Sequence, residues 1–161
     1  MTGRATLRFA RGVRAIAFFD VDKTVLAVNS ATLWVRREVR TGRLTRAMAA
    51  RAAGWTLLYE LGFARMEKVI EEAVETLAGQ PEADLVARVE AFFREEIADQ
   101  IRPGARRAIE RHRERGDAVA LLTSSSNYLG EQVADAVGAH HVLSNAFETD
   151  AGGCFTGAPR R

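Results

Sequence analysis

The stretch AIAFFDVDKTVL, Ala15–Leu26, runs from apolar residues directly into two aspartates that are separated by a single residue. An uninterrupted apolar run such as Ala15–Phe19 is typical of a parallel β-strand that is covered on both faces of its sheet. Asp20 and Asp22 end this run, and a lysine and a threonine follow them. The stretch therefore predicts a buried strand with two negative charges at its carboxyl end. Because residues two apart on a strand point the same way, we expect both carboxylates to face one pocket.

A second apolar run, AVALLT at residues 118–123, ends in hydroxyl side chains and is followed by a helical pattern. Ligands bind outside the carboxyl ends of the strands in an open α/β sheet. The free N–H groups at a helix start also favour an anion such as phosphate. We therefore expect the hydroxyl groups to face the two aspartates. Two carboxylates can bind a hard cation through oxygen, and one of them can attack a phosphoryl centre while the other transfers protons.

The rest of the pattern predicts an α/β fold. Apolar residues recur three and four positions apart from about residue 29 to residue 100, with Gly42, Gly62 and Gly79 as expected helix ends. A helix is predicted from Pro103 to Gly116, a short strand at residues 140–145, and a β-hairpin around two glycines after it. This order indicates a parallel sheet with a helical domain inserted after its first strand. We expect residues 1–28 and 101–161 to form the core and residues 29–100 the insertion.

Composition narrows the class of protein. The 161 residues are 47% hydrophobic and 27% charged, which is typical of a globular domain. A formal net charge of only +2, without basic and aromatic residues interleaved, argues against a nucleic-acid partner. The single cysteine, Cys154, excludes an internal disulfide and favours a cytoplasmic protein. No stretch is apolar over the length of a membrane span, and none has the pattern of a signal peptide.

Two motifs and the segment between them resemble a known family. FFDVDKTV at residues 18–25 resembles the first motif of the haloacid dehalogenase superfamily, and VALLTSSS at residues 119–126 resembles its second. The long helical insertion is similar to that of subclass IB, which contains phosphoserine phosphatase, and the resemblance covers Ala15–Gly157. It implies a Rossmann-like parallel sheet core with an inserted α-helical cap.

The resemblance also implies roles for single residues. Asp20 is the expected nucleophile, forming an aspartyl-phosphate, and Asp22 the expected general acid and then general base. Both are expected to hold Mg²⁺, Asp20 through its side chain and Asp22 through its backbone carbonyl. Thr123, Ser124 and Ser125 are the expected phosphate-binding residues. The implied activity is Mg²⁺-dependent hydrolysis of a small phosphorylated metabolite or a phospholipid headgroup.

The family pattern continues with a lysine that neutralises the phosphate and with an acidic motif that completes the metal site. This sequence has no lysine after Lys68, and Asp150 falls in the predicted hairpin tip. We therefore expect a C-terminally truncated version of the fold with impaired hydrolysis, the alternative being an inactive fragment or a phosphate-binding remnant. Without a further strand beside residues 15–19, their apolar edge would be open to pairing with another chain.

In phosphoserine phosphatases, two charged residues bind the amine and the carboxylate of the substrate. The corresponding positions here are Asn29 and Ala73, and neither side chain can make a charged contact. Asn29 is kept as a substrate-reading candidate, and phosphoserine is not the expected substrate. Lys23 stands where many members of the family have glycine, a change that we expect to be tolerated. Finally, three arginines occur at helical spacing: Arg36, Arg40 and Arg43. Such a group usually lies on a solvated helix face, and the alternative is that it binds an anion or a lipid headgroup.

Overall fold

A computed structural model describes residues 14–60 and 74–160 of the chain. Its centre is a three-stranded parallel sheet in the order β1 (Ile16–Asp20), β2 (Ala118–Ser126), β3 (His141–Asn145). The predicted α/β class with a parallel sheet is confirmed. In the register of the first pair, Ile16 lies opposite Ala118 and Asp20 opposite Leu122.

Five helices and a hairpin complete the described part of the chain: α1 (Ser30–Arg40), α2 (Arg46–Glu60), α3 (Glu82–Phe92), α4 (Pro103–Glu114), α5 (Asn127–Val137), β4 (Phe147–Thr149) and β5 (Phe155–Pro159). A wide helical turn at Phe93–Ile97 and a tight one at Ala98–Gln100 follow α3. The predicted helix end at Gly62 lies outside the described residues. None of the helices described in residues 14–60 and 74–160 combines the length and the apolar character needed to cross a membrane.

Two helices cover one face of the sheet. The register aligns Phe19, Leu121 and Val142 as one row across the three strands, so their side chains share a face. The His112 ring on α4 lies edge-on to Phe19 with ring centroids 5.8 Å apart. On α5, a Cβ added at Gly130 would lie 2.8 Å from Val142 Cγ1, so this helix sits close against the same face. The core of the sheet therefore lies between these strands and α4 and α5.

The opposite face of the sheet is open in the described part of the chain. Phe18 is 51% exposed, and Ile16 and Leu122 are each 38% exposed. The expectation that β1 is covered on both faces is therefore wrong for this part of the chain, because the two packed helices lie on the Phe19 side only. β1 is also an edge strand, since it pairs with β2 alone among the described strands.

The turn between α4 and β2 is held by an ion pair. His112 Nδ1 lies 2.9 Å from Asp117 Oδ2, and Arg115 Nε lies 3.4 Å from the same oxygen. The hydrogen bond with His112 is the main reason why the pKa of Asp117 lies below its ordinary value of 3.8; burial opposes this shift, and the Arg115 charge adds to it. A lowered carboxyl pKa stabilises the fold above pH 3.8, and this contribution is lost as the pH falls through the folded-state pKa.

The described residues divide into two compact units. Residues 14–30 and 86–146 form the unit that contains the three-stranded sheet, and residues 31–60, 74–85 and 147–160 form the other. The predicted domain bounds differ from these units in where they place residues 29–30, residues 86–100 and the hairpin, and they stay a prediction.

The hairpin is integrated into the second unit. The Phe155 N–H donates to the Gln80 carbonyl at 2.9 Å, and the Gly79 N–H donates to the Phe155 carbonyl at 2.8 Å. Phe155 is 2% exposed and meets the Phe147 ring edge-on. The Asp150 carboxylate closes the hairpin turn by accepting the N–H groups of Gly152 and Cys154 at 2.8 and 3.0 Å. It is therefore engaged with the backbone of the turn.

We expect Gly130→Ala to destabilise the protein by about 1–3 kcal/mol, because the added methyl must displace Val142 or push α5 away from the sheet. Gly104→Ala on α4 is the matched control, since nothing lies within 4 Å of its added Cβ; it should stabilise the helix by about 0.5–1 kcal/mol. Urea unfolding of the two variants measures both effects. Equal effects of the two substitutions would contradict the close approach of α5 to β3.

Candidate active site

Asp20 is the last residue of β1, and its side chain is exposed. The Asp20 Cα lies opposite the Leu122 Cα on β2, and Thr123 directly follows Leu122 along that strand. The Thr24 hydroxyl donates to Asp20 Oδ2 at 2.8 Å. The carboxylate is therefore placed at the carboxyl end of the sheet by the strand and oriented by a hydroxyl from the loop that follows.

The loop Val21–Val25 is polar at its centre and apolar at its ends. Val21 is 1% exposed and Val25 is fully buried, and the Leu26 N–H closes the loop by donating to the Val21 carbonyl at 2.8 Å. Burying two valine side chains contributes roughly 1.5–3 kcal/mol each. These apolar anchors hold the polar residues between them at the end of the sheet.

Asp22 lies in this loop and not on the strand. β1 ends at Asp20, and the backbone turns at Asp22 (ψ 128°) and Lys23 (φ 62°). The expectation that both carboxylates project from one strand is therefore wrong in its geometry, because the loop begins between them. Asp22 is half-buried, and its Oδ1 accepts the Ser30 N–H at 2.6 Å.

The predicted hydroxyl residues follow Leu122 as expected, but they lie at the end of β2 and not in the first turn of a helix. β2 extends to Ser126, and α5 begins at Asn127. Thr123 Oγ1 accepts the Ser125 N–H at 3.0 Å, and Asn145 Nδ2 donates to the Ser124 carbonyl at 2.6 Å. Since Thr123 Oγ1 serves as an acceptor here, its own hydroxyl proton can still donate to a ligand.

The oxygen donors suit Mg²⁺. This ion prefers hard oxygen ligands and is often held by one or two carboxylates together with waters and substrate phosphate. Asp20 and Asp22 supply carboxylates at the carboxyl end of β1 and in the next loop. Within residues 14–60 and 74–160, no group of three or more His, Cys, Asp or Glu side chains is gathered at one place. The described chain therefore offers oxygen donors from Asp20 and from the Asp22 loop, which would fit Mg²⁺ completed by further oxygen ligands.

Other residues singled out in the sequence have different surroundings. Asn29 directly precedes α1, and its substrate-reading role stays a prediction; Ala73 lies outside the described residues. The arginine face is shorter than expected, because α1 ends at Arg40, and Arg43 lies in the following turn, where its N–H donates to the Glu38 carbonyl.

Two residues that orient the carboxylates were missed by the sequence analysis, Thr24 and Ser30. Thr24 is four residues after Asp20, and a serine or threonine so close to a carboxylate is a signal that could have been followed. Ser30 carried no such signal, because its contact with Asp22 is made by a backbone N–H group.

The fold and this site define an α/β protein with a parallel sheet, one aspartate at the carboxyl end of its first strand and a second in the loop that follows. The family model for haloacid dehalogenase-like hydrolases matches residues 17–161, and the chain belongs to this family. The predicted resemblance is confirmed.

Among similar sequences is the inhibition of morphological differentiation protein of Streptomyces azureus, 28% identical over 89% of this chain and 53% of its own length. Another is the phosphoserine phosphatase SerB1 of Mycobacterium tuberculosis, 31% identical over 89% of this chain and 47% of its own length. The chain thus spans about half the length of these curated relatives.

Solved structures share the fold. A protein of unknown function from Bordetella pertussis superposes with a TM-score of 0.80 at 29% identity, covering 92% of this chain and 67% of its own. A phosphoserine phosphatase solved as a phospho-aspartyl intermediate analogue superposes with a TM-score of 0.63 at 17% identity, covering 91% and 63%. The second likeness shows the fold alone.

Lys23 is the only non-glycine residue with a positive φ in the described ranges, and its side chain is exposed. A left-handed conformation costs a residue with a Cβ about 1–2 kcal/mol. We expect Lys23→Gly to stabilise the protein by about 0.5–1 kcal/mol, because the relief of strain exceeds the added entropy of the unfolded chain. Lys23→Ala removes the same charge but keeps the Cβ, and it should give no gain in urea unfolding. A gain in both variants would assign the effect to charge.

Proposed function

We propose that this chain carries the nucleophile and the acid–base group of a Mg²⁺-dependent phosphomonoesterase that acts on a small phosphorylated metabolite. The observation that supports the proposal is the position of Asp20 opposite Leu122 at the end of β2, with Asp22 in the next loop and each carboxylate accepting its own hydrogen bond. Family membership and the phosphatases among the relatives support it.

In the first step, an Asp20 carboxylate oxygen attacks phosphorus, and the ester P–O bond breaks. Asp22, protonated, gives its proton to the leaving oxygen, so that an alcohol departs and an aspartyl-phosphate remains. In the second step, Asp22 takes a proton from water as the water oxygen attacks phosphorus. The acyl-phosphate bond breaks, inorganic phosphate leaves, and Asp20 is a carboxylate again.

The hydroxyl groups at the end of β2 orient the phosphoryl oxygens in this scheme. Thr123 would donate its hydroxyl proton to one oxygen, and Ser124 and Ser125 would supply further donors from the same end of β2. Mg²⁺ would be held by Asp20 and Asp22 and would supply positive charge at the phosphoryl oxygens. Residues of the chain provide the attack, the proton transfers and the orientation.

The site has to compensate the repulsion between the attacking carboxylate and the phosphate of the substrate. A carboxylate about 4 Å from a phosphate dianion, at an effective dielectric constant near 20, is repelled by roughly 8 kcal/mol. Left uncompensated, this slows the reaction by five to six orders of magnitude, at about 1.4 kcal/mol per tenfold. Because the sequence has no lysine after Lys68, we propose weak turnover for this 161-residue chain. The alternative is phosphate binding without turnover.

A phosphatase assay with and without Mg²⁺ tests the proposal. We expect slow release of phosphate that requires Mg²⁺ and falls by about 10³-fold or more in Asp20→Asn, because the amide is a poor nucleophile. Asp135→Asn, a substitution at an exposed position on α5, should keep the wild-type rate. Binding of inorganic phosphate by calorimetry without any turnover would favour the alternative, and turnover that survives Asp20→Asn would contradict the proposed mechanism.

We also propose a cellular compartment and a limit on the substrate. With one cysteine, which is free and half-buried, we place the protein in the reducing cytoplasm. Asn29 cannot make a charged contact with a substrate amine, so we propose a substrate other than phosphoserine.

We also propose that the edge of β1 that has no partner strand among residues 14–60 and 74–160 pairs with a second copy of the chain. An apolar edge strand with exposed Ile16 and Phe18 is a template for further strand pairing. Sedimentation velocity should show concentration-dependent association, and Phe18→Lys should weaken it by placing a charge on the edge strand. Met48→Lys replaces another exposed apolar residue, on α2, and should leave the association unchanged. A monomer at all concentrations would exclude this pairing.

A further inference from the structure

The Asp22 carboxylate is held by a contact that lies outside its own loop. Its Oδ1 accepts the backbone N–H of Ser30, eight residues along the chain, at 2.6 Å. This distance is within hydrogen-bonding range for an N–H donor and a carboxyl oxygen. Asp20, in contrast, is held by the Thr24 hydroxyl from within the loop. The two carboxylates therefore have separate supports.

Ser30 is well suited to this task. It is the first residue of α1, and the first N–H groups of a helix have no partner within the helix. The positive end of the helix dipole also favours a carboxylate at this position. Ser30 is only 1% exposed, so the donor is shielded from competing water.

The Ser30 side chain takes no part in the contact. Its hydroxyl oxygen is buried and has no hydrogen-bond partner among the described residues. The backbone N–H alone therefore supports Asp22, and the hydroxyl can be removed without breaking the bond.

We infer that Ser30 is a positioning residue for the acid–base step, and this inference rests on the proposed function. By engaging Oδ1, its N–H turns the carboxylate so that Oδ2 is the oxygen that carries the proton. That proton moves from Oδ2 to the ester oxygen as the P–O bond breaks, which leaves Asp22 as a carboxylate still bonded to Ser30. Ser30 itself does not touch the substrate.

Ser30→Pro tests the inference directly, because proline lacks the N–H and is favoured at the first position of a helix. Ser30→Ala is the matched variant that keeps the N–H and loses only the unpartnered hydroxyl. The measurement is kcat/KM for two esters, a simple alkyl phosphate and 2,4-dinitrophenyl phosphate. This ratio reports the steps up to formation of the aspartyl-phosphate, and only the alkyl leaving group needs a proton.

We expect Ser30→Pro to lower kcat/KM for the alkyl ester by about 10–100-fold, since a misplaced group can lose that much. The value for the dinitrophenyl ester should stay within about twofold, because its leaving group departs unprotonated. Ser30→Ala should retain the wild-type ratio between the two esters. Thermal unfolding of both variants checks that the fold is kept.

Equal loss on both esters in Ser30→Pro, or a changed ratio in Ser30→Ala, would overturn the inference and leave the proposed function standing. A wild-type chain that hydrolyses neither ester would overturn the proposed function, and this inference with it. The amide signal of Ser30 in ¹⁵N–¹H spectra gives a readout besides activity: it should move upfield in Asp22→Ala, and an unmoved signal would contradict the hydrogen bond.

Discussion

Electrostatic repulsion between two carboxylates that are close in sequence is the constraint that the loop after β1 has to satisfy. Asp20 and Asp22 are separated by one residue, and in the proposed function they share a ligand. Hydrogen bonds to the charged form lower the cost of such an arrangement. The chain provides one for each carboxylate, from Thr24 and from Ser30.

The loop that carries Asp22 is stabilised by buried apolar side chains and by backbone hydrogen bonds to another segment. Val21, Val25 and Leu26 are all buried. The Ala27 N–H donates to the Gln100 carbonyl, and the Arg102 N–H donates to the Val25 carbonyl, at 2.8 and 2.9 Å. These contacts fasten the loop to the segment that leads into α4. A polar loop therefore keeps a defined shape because residues on both sides of it are fixed within the first compact unit.

The family match identifies the class of protein, and the coverage shows how much of the relatives' length this chain spans. The match over residues 17–161 identifies a haloacid dehalogenase-like hydrolase. The curated relatives described above are about twice as long as the part that this chain matches. In the described residues, one face of the sheet and one edge of β1 carry exposed apolar side chains, with Phe18 as the most exposed of them. Surface of this kind is suited to contact with further polypeptide.

The sequence by itself determined the fold class and the identity of the polar residues at the strand ends. Strands and helices have local signatures: apolar runs predicted β1 and β2, and Pro103 begins α4 where expected. The paired aspartates and the hydroxyl run are adjacent in sequence to these elements, so their approximate position followed from the strand order.

Only the tertiary structure decided how these groups are oriented and what supports them. β1 ends before Asp22, β2 extends to Ser126, and α4 and α5 lie on one face of the sheet. The spacing of apolar residues in the sequence does not specify any of these three features. The Asp22–Ser30 hydrogen bond joins a side chain to a backbone N–H group, which every residue except proline has. The residue type at position 30 therefore cannot predict this bond. Contacts of this kind depend on where two segments meet in space, and the local pattern of apolar and polar residues does not encode that distance.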